Sequence, residues 1–151
     1  MRESEKVASG IKLTGDEMRY IALFENVTGA TARDCVIDEK GDRVIFVVKP
    51  GDIGLAIGKR GSRIQLLHRM IAKDVEVVEY AEAPVAFIKN SLSPAKVREV
   101  RITEKPDGRR IAIASIEPRD KGVAIGKNGR NAEKTRLFAK RYFQIDDVII
   151  T

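Results

Sequence analysis

The sequence predicts an α/β (α+β) protein of two tandem domains, each a small three-stranded sheet packed with helices, joined by a short packed connector. Three observations predict it. Asp52-Ile-Gly-Leu-Ala-Ile-Gly-Lys-Arg-Gly61 returns as Asp120-Lys-Gly-Val-Ala-Ile-Gly-Lys-Asn-Gly129, with seven of ten positions identical at an offset of 68 residues. A repeat at such a period marks repeated structural units. Each copy follows a proline at the same offset, Pro50 and Pro118, and sits between an apolar stretch and a basic stretch of helical spacing. The segment Tyr80–Pro94 carries Val85, Phe87, Ile88 and Leu92, too apolar for a flexible linker. Units of roughly 70 residues are marginal alone, so they are expected to pack against each other. The expected boundaries are 1–13 for a flexible N-terminus, 14–80 for the first domain, 81–92 for the connector and 93–151 for the second domain.

Thr14-Gly-Asp-Glu17 fits a capping box, and Met18, Ile21, Ala22 and Glu25 follow at helical spacing up to Gly29. Residues 32–38 and 44–48 read as strands around the turn Glu39-Lys-Gly-Asp42. Asp52 is expected to cap a short helix through Ile57, and Ser62 a second one to about Lys73. Residues 75–79 close the domain as a strand. The second half repeats the order. Ser93-Pro-Ala95 is expected to start a short helix with Pro94 at its first position. Strands are expected over 97–103 and 110–116, helices over 119–125 and 130–141, and a last strand over 145–150.

A net charge of +6 favours a polyanionic partner. Cys35 is the only cysteine and His68 the only histidine, which excludes an intrachain disulfide and a Cys/His metal cluster. Cys35 is expected as a buried thiol and His68 as a solvated or RNA-facing side chain. No catalytic residues, metal or cofactor are expected, since a single histidine completes no nucleophile–base set. No run approaches the length of a membrane span, and the charged N-terminus lacks a signal-peptide core. A cytoplasmic protein is expected.

Glycines around a helix start permit positive φ and let a phosphate approach unpaired backbone N–H groups. Lys59 and Arg60 lie between Gly58 and Gly61, and Lys127 and Asn128 between Gly126 and Gly129. Arg63 continues the positive face in the first copy, and Arg130, Lys134 and Arg136 in the second. These residues are the candidate contacts to a nucleic-acid backbone. A phosphate loop for nucleotide hydrolysis is not indicated. Gly54 and Gly122 stand one residue too close, and Arg60 and Asn128 occupy its Ser/Thr place.

A duplicated Gly-x-x-Gly, preceded by Ala-Ile and attached to a helix-strand-strand frame, resembles the type II K-homology (KH) domain, which clamps about four nucleotides of single-stranded RNA or DNA. The resemblance implies that Ile57 and Ile64, and Ile125 and Ala132, line the grooves that receive bases. From the residues alone, Ile57, Ile64 and Ile125 are core first, with only an edge of each facing a groove.

The connector Ala83-Pro84 and Phe87-Ile-Lys-Asn-Ser-Leu-Ser-Pro-Ala95 is similar to the segment joining tandem KH domains in NusA transcription factors, and the two-KH length is similar to the archaeal form. This implies a non-enzymatic single-stranded RNA-binding protein of transcription termination, antitermination or elongation, gripping nascent RNA, with RNA polymerase or its elongation complex as a further partner. A monomer is expected. Two other readings stay open: a ribosome-assembly or rRNA-binding KH factor, and a protein-interaction module with vestigial loops.

Overall fold

The computed structural model describes residues 11–151. Most of the stretch expected to be a flexible N-terminus lies outside the described residues. Ile11 and Leu13 fall inside them, and both pack against the first core, with Leu13 buried.

Helix α1 (Gly15–Thr28) begins at the capping box read from the sequence. Glu17 N–H donates to Thr14 Oγ1 at 3.2 Å and Thr14 N–H to Glu17 Oε1 at 2.9 Å. It ends where Gly29 takes φ 77° and donates its N–H to Glu25 O. Strand β1 (Ala32–Asp38) runs antiparallel to β2 (Arg43–Val48), and β2 pairs in parallel with β3 (Asp74–Glu79), giving the order β1-β2-β3. A parallel pair needs a crossover connection. Here it consists of α2 (Ile53–Ile57), a tight turn at Lys59–Gly61 and α3 (Ser62–Ile71). The first core gathers Val44, Phe46 and Val48 at the alternate positions of β2, with Ile21 and Phe24 of α1. Phe24 stacks on Phe46 with ring centroids 4.2 Å apart.

Arg43 closes one end of this sheet. Its buried side chain donates from Nε to Asp38 Oδ2 at 2.7 Å and from Nη1 to Glu76 Oε2 at 3.2 Å, tying all three strands together. Cys35 is fully buried, as expected of a structural thiol.

The second unit repeats the order with α4 (Pro84–Leu92), β4 (Val97–Glu104), β5 (Arg110–Ile116), α5 (Lys121–Ile125), a turn at Lys127–Gly129, α6 (Arg130–Phe143) and β6 (Asp147–Ile150). Its sheet has the order β4-β5-β6, antiparallel and then parallel. The core joins Ile88 and Leu92 of α4 to Ala112, Ala114, Ala139, Ile145 and Val148. Phe87 meets Phe138 and Tyr142 edge-on beside it, at 5.9 and 5.3 Å.

The chain divides into compact units at Tyr80 and Ala81. The stretch expected as a connector therefore supplies the second unit with α4, whose apolar face enters that unit's core. Proline does open a helix here, but at Pro84 rather than Pro94. Ser93–Ala95 forms a turn instead of the expected helix, because α4 has just ended at Leu92. The expected helix over 119–125 divides into a single turn at Pro118–Asp120 followed by α5. The last strand begins at Asp147, since Ile145 is fully buried in the core ahead of it.

Candidate nucleic-acid interface

The two glycine loops share one backbone conformation. Gly58 has φ 77°, ψ 172° and Gly126 φ 80°, ψ 166°. Arg60 and Asn128 are both left-handed, at φ 54° and 58°, as are Gly61 and Gly129, at φ 73° and 74°. Gly61 N–H donates to Gly58 O at 3.1 Å, and Gly129 N–H to Gly126 O at 3.0 Å.

The glycines of a loop have different tasks. A Cβ on Gly58 would lie 2.8 Å from Arg63 Cγ, and one on Gly126 would lie 2.8 Å from Asn131 Cβ and N. Here the protein itself fills the space that the sequence reading left for a phosphate. A Cβ on Gly129 meets nothing within 4 Å, and one on Gly61 only Gln65 Nε2 at 4.0 Å. The open side of each loop is therefore at its second glycine.

That side is also where the long helices begin. Ser62, expected as a cap, is the first helical residue. The caps are Gly61 and Gly129, and neither α3 nor α6 has a side-chain cap bond. The first N–H of each helix donates within the loop instead, Ser62 N–H to Lys59 O and Arg130 N–H to Lys127 O, and the positive end of each helix dipole faces the loop. Asp52 and Asp120 do not cap α2 and α5 through their side chains either. Each accepts a backbone N–H from before the first strand of its unit, from Thr31 and Lys96.

The cations divide into exposed and engaged ones. Lys59, Arg60, Lys127 and Asn128 are exposed. Among the described residues, no carboxylate lies within ion-pair distance of Lys59, Arg60 or Lys127. Arg63 instead donates from Nη1 to Leu55 O at 2.9 Å and Thr28 O at 3.1 Å. Arg130 is half-buried in the first turn of α6. Lys134, expected as an RNA contact on the basic face, is 7% exposed. Arg136 donates to Val148 O at 3.1 Å and pairs with Asp147 at 3.1 Å, fastening α6 to β6. Lys140 pairs with Asp146 at 2.7 Å. The basic face expected along the helices thus contracts toward the loops, because helix–strand packing engages the long side chains further on. His68 is exposed and its Nδ1 lies 2.8 Å from Lys73 O.

Apolar side chains flank the loops. Ile57 and Ile125, expected to be core first, are 40% and 41% exposed. The reason is the brevity of α2 and α5, whose single fully buried positions are Ala56 and Ala124. Ile64 is half-buried against the first core, and Ala132 is buried. The sequence reading passed over Leu55 and Val123, which are 46% and 49% exposed. The repeat carried the signal: both copies keep an aliphatic residue at that position, two before the exposed isoleucine. Among the described residues, no three His, Cys, Asp or Glu side chains gather to hold a metal ion.

Residues 18–89 match the KH domain family and residues 84–146 the NusA-like second KH domain. The chain is 42% identical over 141 residues to the probable transcription termination protein NusA of Halobacterium salinarum, covering 93% of this chain and 99% of that protein. It is 31% identical to the protein of the same name from Methanocaldococcus jannaschii, covering 91% and 74%. It is 30% identical to the transcription termination/antitermination protein NusA of Bacillus subtilis, covering 80% of this chain and 32% of that one. The solved crystal structure of APE1850 superposes with a TM-score of 0.80 at 36% identity, covering 92% of this chain and all of that one.

Proposed function

The chain belongs to the NusA family, and from that premise we propose that it binds single-stranded RNA through both Gly-x-x-Gly loops and acts in transcription termination or antitermination. The observation that carries this reading is the shared loop backbone. Twice, helix-start amides with no side-chain cap stand beside an exposed lysine that has no carboxylate partner among the described residues. Phosphates sit against those amides and side chains. Bases lie against Leu55 and Ile57, or Val123 and Ile125, which offer aliphatic surface rather than an aromatic stacking platform. A duplex keeps its bases stacked, so the preferred strand is single.

The protein works as a binder and not as a catalyst. Its lone thiol is buried and its lone imidazole is hydrogen-bonded to a backbone carbonyl. Among the described residues, no helix is long and apolar enough to cross a membrane. On this reading the factor is monomeric and cytoplasmic and reaches RNA polymerase or its elongation complex; its relatives are named for transcription termination and antitermination.

The test is a titration with single-stranded RNA oligonucleotides of roughly four to twelve nucleotides at two salt concentrations, beside a duplex of the same sequence. Binding to the single strand, falling on a log–log salt slope of roughly −0.7 per phosphate neutralised, is expected. No binding at low salt would refute RNA recognition and favour the protein-interaction reading. Co-sedimentation with RNA polymerase rather than ribosomal particles is expected in extracts. Ribosomal association would favour the rRNA-binding reading.

A further inference from the structure

We infer that Arg63 is a positioning residue that holds the first loop in shape from behind, a task performed in the second loop by Asn131. The inference rests on the proposal that the loops bind RNA, and it moves Arg63 from the set that touches the strand to the set that shapes the site.

The two residues stand at the repeat offset, each five positions after the first glycine of its loop. Each sits in the space a Cβ would need on that glycine, Arg63 against Gly58 and Asn131 against Gly126. Each also bonds the carbonyl end of the short helix that enters the loop. Arg63 Nη1 donates to Leu55 O at 2.9 Å, while Asn131 Nδ2 donates to Ala124 O at 3.1 Å and Val123 O at 3.4 Å. Leu55 and Val123 are themselves repeat equivalents.

The last carbonyls of a helix lack intrahelical partners. A side chain with an N–H donor can join such a carbonyl to the start of the next helix, and both guanidinium and carboxamide carry one. A neutral residue makes this tie in the second copy, so positive charge is not what the position requires. Arginine adds reach: the same Nη1 also donates to Thr28 O at the end of α1. Lys59 follows directly on the segment so held, and a shift of α2 relative to α3 would move its ammonium away from the amides of α3.

The experiment compares Arg63→Ala and Arg63→Asn in the full chain by RNA affinity, by salt slope and by amide hydrogen exchange at Gly58 and Gly61 without RNA. Lys59→Asp serves as the reference for loss of a loop charge. Arg63→Ala is expected to speed exchange at both glycines and weaken binding about tenfold, while the salt slope stays near that of the parent protein. Arg63→Asn is expected to recover most of both losses. If Arg63→Asn falls as far as Arg63→Ala, with the slope flatter by roughly 0.7, Arg63 is a phosphate contact and the inference is overturned. Unchanged loop exchange in Arg63→Ala overturns it too. Should Arg63→Ala fail to fold, Asn131→Ala makes the comparison at Gly126 and Gly129. Faster exchange there supports the inference and unchanged exchange refutes it. If Lys59→Asp binds RNA as well as the parent, the RNA reading of this loop fails, while the exchange measurement still judges the positioning role.

Discussion

Asp52 and Asp120 occupy the same place in the two repeats and make the same bond, each accepting a backbone N–H on Oδ2 at 2.8 Å. The donors are Thr31, just before β1, and Lys96, just before β4. Each aspartate therefore ties the entry of its glycine-loop hairpin to the start of its sheet. The sequence suggested a helix cap at Asp52; the structure uses both aspartates to fix where the hairpin leaves the sheet.

Replacing either aspartate by alanine leaves that N–H without its acceptor. Each of Asp52→Ala and Asp120→Ala is expected to destabilise the protein by about 1 kcal/mol, read by urea unfolding. An unchanged midpoint in both would show that the tie contributes nothing.

The glycines of each loop should differ in their tolerance of a side chain. Gly58→Ala combines a conformation reserved for glycine with a 2.8 Å approach to Arg63. It is expected to cost about 1–3 kcal/mol or more and to disturb the loop. Gly61→Ala meets no close neighbour and is expected to cost only the left-handed strain, roughly 1 kcal/mol. Equal costs would contradict this division.

Arg60 holds a left-handed backbone that arginine adopts reluctantly, whereas Asn128 suits it. Arg60→Asn is expected to raise stability by up to about 1 kcal/mol while weakening RNA binding. The reciprocal Asn128→Arg should strengthen binding at the second loop and steepen the salt dependence. A gain in affinity from Arg60→Asn would argue against a phosphate at the first loop.

Acid should weaken the second unit through Asp146 and Glu117. The hydrogen bond from Lys140, helped by the Arg110 N–H, holds the Asp146 carboxyl below its ordinary range; the Arg98 guanidinium does the same for Glu117. A carboxylate depressed in the folded state contributes stability above its unfolded value and loses it as pH falls through the folded one. Stability should therefore decline below about pH 4, and less steeply in Asp146→Asn. The same acid slope in that variant would contradict the assignment.

The repeat and the patterns around it made much of the fold legible. Thr14 and Glu17 announced a capping box that forms, and the apolar run 44–48 announced a buried strand. Side-chain exposure was legible at Lys59, Arg60 and Lys127, because a glycine on either side fixes where such residues must point. It was not legible at Arg63, Lys134 or Arg136. A long cation on a helix can face solvent, a neighbouring carbonyl or the core, and its sequence position does not choose among them. Leu55 and Ile57 were obscured for a related reason: an aliphatic pair usually signals core, yet α2 is too short to bury both sides of itself.

The most direct test of loop-mediated RNA binding is a titration of single-stranded RNA against the parent protein, Lys59→Asp, Lys127→Asp and the double variant at low salt. Each single change is expected to weaken binding and lower the salt slope, and the double variant should retain little affinity. A double variant that binds like the parent would contradict the account, because it would put the RNA somewhere other than the glycine loops.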